Sequence, residues 1–297
     1  MNYISVSKFA KKWQLPERTV RHYCAKGKIN GAFLTGKTWN IPENTIFAEK
    51  RKKKKFSNNI LLNHLKEQKD MKLKGGIYHR TQIDFTFNSN RIEGSQLTQE
   101  QTRFIFETNT IGSSKESINV DDIIETSNHF RCIDLIIEKA KNKLTEGYIK
   151  ELHFLLKSGT SDSRKDWFNV GNYKKLPNEV GGNETIPPNK VAAKIKELLF
   201  NYHSIEKKTF NDIIAFHHEF EIIHPFQDGN GRVGRLIMFK ECLANNIVPF
   251  IINEELKLFY YRGLQEWNLV PEYLLETCLT AQDNYKTILN YFEIDFE

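Results

Sequence analysis

The sequence predicts a mainly α-helical protein, with one large helical domain and a small N-terminal module. Apolar residues recur three and four positions apart through most of residues 76–297, which is the period of amphipathic helices. No succession of strands alternating with helices and no internal repeat interrupts that pattern. At 297 residues, 39% of them hydrophobic, the chain can form a large domain with a small appendage.

The first 48 residues predict two short helices joined by a tight turn. In SVSKFAKKW, Ser7 stands where an N-cap is expected, and the apolar residues after it fall on one helix face. The turn QLP places Pro16 at the start of a second helix, which should end at Gly27. Together they predict a helix-turn-helix unit.

A β-hairpin is predicted next, in INGAFLTGKTWNIP, with its bend at residues 35–37. Its expected inward-facing residues are Phe33, Trp39 and Ile41. The whole module resembles the winged, MerR-like and excisionase-like DNA-binding modules. That resemblance implies DNA contacts by Arg18, Thr19, Arg21, His22 and Lys37. The alternative is a protein-binding or dimerisation domain whose basic residues are only solvated.

Charge divides the chain in the same place. Residues 1–74 hold 18 Lys and Arg against five Asp and Glu, whereas the remainder holds 25 against 32. Six consecutive basic residues occupy positions 50–55. We therefore predict a basic linker over residues 49–75, which could add salt-sensitive phosphate contacts and which separates the module from a helical domain at 76–297.

The cysteines and the apolar runs indicate where the protein works. The four cysteines are far apart and form no CxxC pair, which argues against a zinc cluster and a disulfide framework. Neither a signal peptide nor an apolar run of membrane-spanning length is recognisable. We expect a soluble, cytoplasmic protein with no membrane partner, and a homo-oligomer is compatible with the sequence.

The helical domain has its own start signals and one predicted irregular region. Long amphipathic helices are predicted in VDDIIETSNHFRCIDLIIEKA, LTEGYIKELHFLLKSG and PPNKVAAKIKELLFNYH. Thr98 and Gln101 have the spacing of a capping box. The segment NYKKLPNEVGGNETIPP, broken by Pro, Gly and Asn, predicts a small β-hairpin flap.

The stretch HPFQDGNGRVGR at residues 224–235 carries the chemistry. Its glycines fit the dinucleotide pattern GxGxxG, but a helical segment precedes them where that motif needs a strand. His218 and Glu219 begin an HExxH zinc pattern, but residue 222 is Ile and the second histidine ligand is absent. Both of these interpretations are therefore disfavoured.

The remaining interpretation is a helix that ends at His224, followed by a glycine-containing loop and a second helix. The start of that helix offers free N–H groups and the positive end of a dipole, and Gly229 and Gly231 let an anion approach the backbone. Arg232 and Arg235 lie one turn apart and suit phosphate oxygens. With His224 as a base and Asp228 as a hard ligand for Mg²⁺, the stretch indicates phosphoryl or nucleotidyl transfer.

The same twelve residues match the signature HxFx[DE]GNGRxxR of the Fic family at every fixed position. The resemblance implies the helical Fido fold and transfer of AMP from ATP to a Ser, Thr or Tyr hydroxyl of a protein, possibly the enzyme itself, with release of pyrophosphate. It implies that His224 is the base, that Asp228 holds Mg²⁺ and that Arg235 meets the γ-phosphate. Gly229 stands where the phosphate-transferring members carry Lys, which favours nucleotidyl transfer.

Further site residues follow from the resemblance. The VGGN stretch in the flap would cover the nucleotide and align the target by β-strand addition. Two tyrosines and an asparagine downstream would contact adenosine. The implied ATP-binding residues are Glu93, Val180, Gly181, Gly182, Asn183, Asp228, Gly229, Asn230, Gly231, Arg232, Val233, Gly234, Arg235, Tyr260, Tyr261 and Asn268.

A regulatory motif lies upstream. In FNSNRIEGS, Ser89, Glu93 and Gly94 match the inhibitory pattern [ST]xxxE[GN] of Fic proteins that carry their own inhibitory helix. A glutamate at a helix end needs a cation, and the implied partner is Arg235, the arginine that the γ-phosphate requires. Some such proteins also remove AMP. The alternative for the whole chain is a DNA-binding regulator whose Fic domain is a mostly silent nucleotide sensor.

Overall fold

The computed structural model describes residues 2–13, 17–36, 38–45, 59–112 and 117–296, without the side chains of Arg18, His22 and Asn183. Contacts divide the chain into two compact units, Met1–Phe56 and Ser57–Glu297. Among the predicted DNA contacts, Lys37 and the side chains of Arg18 and His22 lie outside the described part. The turn at Pro16 and residues 46–58, which include the start of the predicted linker, lie outside it as well.

The first unit combines two helices with a small sheet. Its elements are β1 (Tyr3–Ser5), α1 (Val6–Trp13), α2 (Glu17–Ala25), β2 (Phe33–Thr35) and β3 (Thr38–Pro42). The sheet is antiparallel in the order β1-β3-β2, with Ile4 opposite Ile41 and Leu34 opposite Trp39. Buried residues from α1, α2, β3 and the segment after α2 form its core, namely Val6, Phe9, Ala10, Val20, Cys24, Ile29 and Ile41.

Two details of this unit differ from the sequence predictions. Helix α1 starts at Val6, so Ser7 lies inside it, and the Ser5 hydroxyl accepts a hydrogen bond from Lys8 N at 3.3 Å instead. Phe33 is exposed and meets the Tyr3 ring edge-on, because β2 is an edge strand beside β3. Ile41 is fully buried, as predicted, since its strand lies in the middle.

The second unit is helical apart from the flap. Its helices are α3 (Ile60–Asp70), α4 (Ile77–Ile92), α5 (Gln99–Thr108), α6 (Val120–Glu138), α7 (Glu146–Lys157), α8 (Pro188–Ser204), α9 (Phe210–Ile223), α10 (Asn230–Ala244), α11 (Lys257–Gln265) and α12 (Glu272–Tyr291). The Thr98–Gln101 capping box is present with both hydrogen bonds. The flap consists of β4 (Glu179–Val180) and β5 (Asn183–Glu184), paired antiparallel around Gly181 and Gly182.

Helix α10 lies at the centre of this unit. It packs against α4, α6, α7 and α9. Its apolar residues Val233, Leu236 and Phe239 are fully buried in the largest core cluster, and Phe239 stacks on Phe85 of α4 with ring centroids 5.0 Å apart. Because α10 is surrounded, the charged residues on its first two turns are also withdrawn from water.

The predicted linker of residues 49–75 is too long. Residues 60–70 form α3, capped by Asn59, whose side chain accepts a hydrogen bond from Leu62 N. Leu61, Leu62 and Leu65 of this helix lie in the main core. The leucine spacing outweighs the nearby basic run, so the helical unit begins before residue 76. None of the helices described is both long and apolar enough to cross a membrane.

Gly263 sets how closely α11 and α12 pack. A Cβ at this position would lie 2.6 Å from Leu274 Cα, a backbone atom that cannot rotate away. We expect Gly263→Ala to force the helices apart and lower the free energy of unfolding by about 1–3 kcal/mol. Thermal and urea unfolding followed by far-UV circular dichroism measure it.

Gly147→Ala is the matched control. Gly147 lies in the first turn of α7, and its nearest contact would be Thr145 Oγ1 at 3.8 Å. Alanine favours the helix there, so stability should stay equal or rise. Equal stability of the two variants would contradict the proposed close packing at Gly263.

Candidate active site

His224 ends α9 in the left-handed conformation, with φ 48°. Pro225 follows, and His224 Nδ1 lies 4.0 Å from Glu221 Oε2 on α9. The side chain is 16% exposed. Burial, followed by the nearby Lys174 ammonium, lowers the pKa of His224 to about 4. The imidazole is therefore neutral near pH 7, the state that a general base requires.

The loop between α9 and α10 is closed by Asn230. Its Oδ1 accepts a hydrogen bond from Phe226 N and its Nδ2 donates to Phe226 O, both at 2.8 Å. Asn230 was predicted to hold an anion, but its buried side chain is used within the loop. Gly229 is the N-cap of α10, with φ +83°, a conformation that glycine adopts without strain.

Arg235 is fully engaged by α4. Its Nη2 donates to Glu93 Oε1 at 2.6 Å and to the Ser89 carbonyl at 2.9 Å, and its Nε donates to Ser89 Oγ at 3.0 Å. Its side chain is only 3% exposed. Glu93 is the C-cap of α4, and Gly94 continues the chain with φ +98°. The predicted pair of Glu93 with Arg235 is therefore present.

The Glu93 carboxylate lies directly on the first turn of α10. A Cβ at Gly231 would be 2.5 Å from Glu93 Oε1 and 2.9 Å from Arg235 Nη1, so only glycine leaves room for this contact. Burial raises the pKa of Glu93, but the guanidinium groups of Arg235 and Arg232 outweigh that effect, and the net pKa lies below its usual value. An anion thus already lies where the helix dipole attracts one.

Asp228 and Arg232 belong to a second charged network. Lys157 Nζ lies 2.6 Å from Asp228 Oδ2, and Arg232 Nη2 lies 3.3 Å from the same oxygen. Glu125 of α6 accepts close hydrogen bonds from both Lys157 and Arg232. Lys157 and Arg232 are almost completely buried, whereas the Asp228 side chain is 46% exposed. One face of this network is therefore open to solvent.

The other signature residues face away from this opening. Val233 is packed in the core, and a Cβ on Gly234 would lie 2.6 Å from Glu221 Oε1. Gly234 therefore serves the packing of α10 on α9. Glu221 itself was not singled out by the sequence. Burial raises its pKa to about 8, although Arg235 opposes the shift.

The three residues predicted to contact adenosine differ in their exposure to solvent. Tyr260 is 1% exposed and its hydroxyl lies 2.7 Å from His217 Nε2, because α11 packs its ring against α9. The adenosine contact of Tyr260 stays a prediction, and its side chain is buried here. Tyr261 is exposed, and its hydroxyl donates to the Ile92 carbonyl at 3.3 Å. Asn268 is exposed in the turn after α11.

The base of the flap is held close to His224. Lys174 N donates to the Pro225 carbonyl at 2.9 Å, and the buried Lys174 ammonium donates to Asn178 Oδ1 and Thr185 Oγ1. Burial lowers the pKa of this lysine to about 8. Val180, Gly181 and Gly182 at the flap tip are exposed.

Four residues around the site were missed by sequence reasoning: Glu125, Lys157, Lys174 and Glu221. The first three come from elements far from the signature in the chain, and a lone Lys or Glu on an amphipathic helix ordinarily indicates a solvated face. The i, i+3 spacing of Glu221 and His224 was visible, but it does not distinguish a site residue from a packing residue.

Buried neutral histidines make the helical unit sensitive to acid. Burial lowers the pKa of His153 and His217 to about 3, and that of His218 and His224 to about 4. In the unfolded chain the ordinary pKa is near 6.5, so the unfolded state binds more protons as pH falls. The contribution of these histidines to the free energy of unfolding should therefore be fully present above about pH 6.5 and decrease below it.

We expect the free energy of unfolding to fall by up to about 1.4 kcal/mol per pH unit for each such histidine. Urea unfolding between about pH 7 and pH 5 measures the change. His217→Asn, which cannot be protonated, should flatten the curve relative to the parent protein. A free energy of unfolding that stays constant through this range would contradict the burial of neutral histidines.

Comparison with known proteins places the site in a family context. The model of the Fic/DOC family matches residues 143–242. The chain is 24% identical over 189 residues to protein adenylyltransferase fic-1 of Caenorhabditis elegans, covering 62% of this chain and 36% of that protein. It is 28% identical over 182 residues to protein adenylyltransferase Fic of Drosophila melanogaster, with 60% and 36% covered. The chain thus spans about a third of these curated relatives.

Solved structures agree in fold. A Fic-domain signalling protein from Bacteroides thetaiotaomicron superposes with a TM-score of 0.62 at 22% identity, covering 81% of this chain and 99% of that one. A Fic family protein from Desulfovibrio desulfuricans gives 0.59 at 22% identity, covering 80% and 76%. Residues 143–242 are thus similar to the Fic/DOC family, and the fold agrees with that of solved Fic-domain structures.

Proposed function

We propose that this protein transfers AMP from ATP to a Ser, Thr or Tyr hydroxyl of a protein and is held inactive by Glu93. The observation that carries the proposal is the meeting of a neutral buried base, His224, with a cation-lined helix N-terminus at α10. The similarity to protein adenylyltransferases, found over about 60% of this chain, supports the same chemistry.

His224 would accept the proton of the target hydroxyl. Its pKa of about 4 keeps the imidazole neutral near pH 7, with one ring nitrogen free to accept a proton, and the left-handed end of α9 fixes its backbone position. The hydroxyl oxygen then attacks the α-phosphorus of ATP, the bond to the β-phosphate oxygen breaks, and pyrophosphate leaves. The exposed flap tip at Val180–Gly182 would pair with the target segment and align its hydroxyl.

The phosphates would lie on the first turn of α10. Free N–H groups at this helix start attract anions, and Arg232 Nε has no hydrogen-bond partner among the described residues although it is buried. The half-exposed Asp228 fits Mg²⁺ as a single carboxylate ligand beside phosphate oxygens, and the described part of the chain forms no cluster of three metal-binding side chains. A bound Mg²⁺ would neutralise phosphate charge.

Glu93 would block the reaction in two ways. It takes the guanidinium of Arg235 at 2.6 Å, and its carboxylate lies against Gly231, where a phosphate oxygen would need to approach the backbone. ATP bound beside it would repel the carboxylate and could not use Arg235. Removing Glu93 leaves the Ser89 contacts that keep Arg235 in place.

We therefore expect Glu93→Gly to raise AMP transfer, including self-modification, by at least about tenfold, the factor that corresponds to one released charged contact. Incubation of the purified protein with labelled ATP and Mg²⁺, followed by gel autoradiography and mass spectrometry, measures it. Glu206→Gly, an exposed residue in the loop before α9, is the matched control and should leave activity unchanged.

The double variant Glu93→Gly with His224→Ala tests the base. General-base catalysis contributes about 10²–10⁴-fold, so transfer should fall to background while ATP binding persists. Full transfer without the imidazole would contradict the assigned role. No rise in the Glu93→Gly protein, despite normal folding and ATP binding, would favour the second candidate, a mostly silent nucleotide sensor held off by the observed Glu93–Arg235 pair.

We further propose that the N-terminal unit binds DNA. Its two helices and antiparallel sheet, together with an exposed Arg21 on α2, support that role. In the full-length protein, Arg18→Ala with Arg21→Ala should weaken binding to duplex DNA and reduce its dependence on salt. Lys286→Ala, on α12, is the control. Gel shifts at two salt concentrations measure the DNA affinity and its dependence on salt. The absence of salt-sensitive binding would indicate a protein-interaction unit.

A further inference from the structure

Lys157 brings a cation to the place where the Fic resemblance expects a metal. It is the last residue of α7, and its aliphatic chain runs beside Gly229, with Cδ 3.6 Å from the position of a Cβ there. The side chain is only 3% exposed, and its ammonium lies 2.6 Å from Asp228 Oδ2. A buried ammonium is costly unless it is paired, so this position is fixed by its carboxylate partners.

Those partners also bind Arg232. Glu125 accepts hydrogen bonds from Lys157 and from Arg232, and Asp228 Oδ2 is approached by both cations. Asp162 is a third carboxylate near Lys157, at 3.5 Å. Two cations, one from α7 and one from α10, therefore contact the same carboxylate oxygen at the start of α10.

A carboxylate next to a phosphate site must be neutralised, because two anions in contact repel each other strongly away from bulk water. A divalent cation between them is the usual solution. Here the Lys157 ammonium already lies 2.6 Å from Asp228 Oδ2, and Arg232 Nη2 approaches the same oxygen at 3.3 Å. The charge of Asp228 is thus compensated by the chain itself.

We propose that Lys157 is a resident cation of the nucleotide site, which neutralises Asp228 and, with Arg232, holds the phosphates of ATP when no divalent cation is bound. This inference rests on the proposed function. Glu125 keeps the two cations in place. A divalent cation on the open side of Asp228 adds to this arrangement and is not required for the nucleotide to bind.

The test compares ATP binding with and without metal. Full-length Glu93→Gly protein, in which the anion site is free of the inhibitory carboxylate, is titrated with ATP in EDTA and in Mg²⁺, by calorimetry or fluorescence polarisation of a labelled analogue. We expect the two affinities to agree within about tenfold. Lys157→Met should weaken binding in EDTA by at least about tenfold, the worth of one charged contact, and in Mg²⁺ by clearly less.

Matched variants separate charge from folding. Lys157→Arg keeps the charge and should retain most of the binding in EDTA, whereas Lys286→Met, the same loss of charge on α12, should change nothing. Since Lys157→Met leaves Glu125 without one partner, Lys157→Met with Glu125→Gln removes the unpaired charge and guards against misfolding. It should show the same selective loss in EDTA, with a normal thermal transition.

Three results would overturn the inference. In the first, the Glu93→Gly protein binds ATP in Mg²⁺ but not in EDTA. In the second, adding Lys157→Met leaves ATP affinity unchanged in both buffers. In the third, Lys157→Met lowers ATP affinity equally in both buffers, which would indicate a contact independent of the metal. Each of these leaves AMP transfer by the Glu93→Gly protein intact. If the Glu93→Gly protein failed to bind ATP in both buffers, the result would instead contradict the proposed function, and with it this inference.

Discussion

The burial of positive charge on the first two turns of α10 is the constraint on which the rest of the site depends. Arg232 and Arg235 are almost completely withdrawn from water, because α4, α6, α7 and α9 surround the helix. A buried guanidinium must have partners or it destabilises the fold. The neighbouring helices supply them: α4 gives Ser89 and Glu93 to Arg235, and α6 gives Glu125 to Arg232.

This constraint connects folding with chemistry. The carboxylates that stabilise these buried charges in the folded chain are the groups that a phosphate would have to displace or lie beside under the proposed function. In this way the same contacts stabilise the protein and set how readily an anion binds. His224 is outside this arrangement: its pKa is lowered chiefly by burial, and the left-handed turn at the end of α9 fixes its position.

The sequence predicted the parts of the site that are contiguous or that follow a pattern. The end of α9 at His224, the helix after the loop and the Glu93–Arg235 pair were all accessible, because caps, glycines and a fixed signature mark them. Helix α3 was missed, because the basic run before it drew the predicted linker through residue 75. The ATP contacts of Asn230 and Tyr260 stay predictions, and the sequence did not reveal that both side chains are buried in contacts that only the folded chain creates.

The position of Gly231 has a consequence for the size of what can occupy the site. The space that a single methyl group would fill there holds one oxygen atom of Glu93, with Oε1 2.5 Å from the absent Cβ. A phosphate oxygen is about as large as a carboxylate oxygen, so the two would compete for one volume as well as for one charge. Under the proposed function, Glu93 and the nucleotide would therefore exclude each other by volume at Gly231 in addition to competing for Arg235.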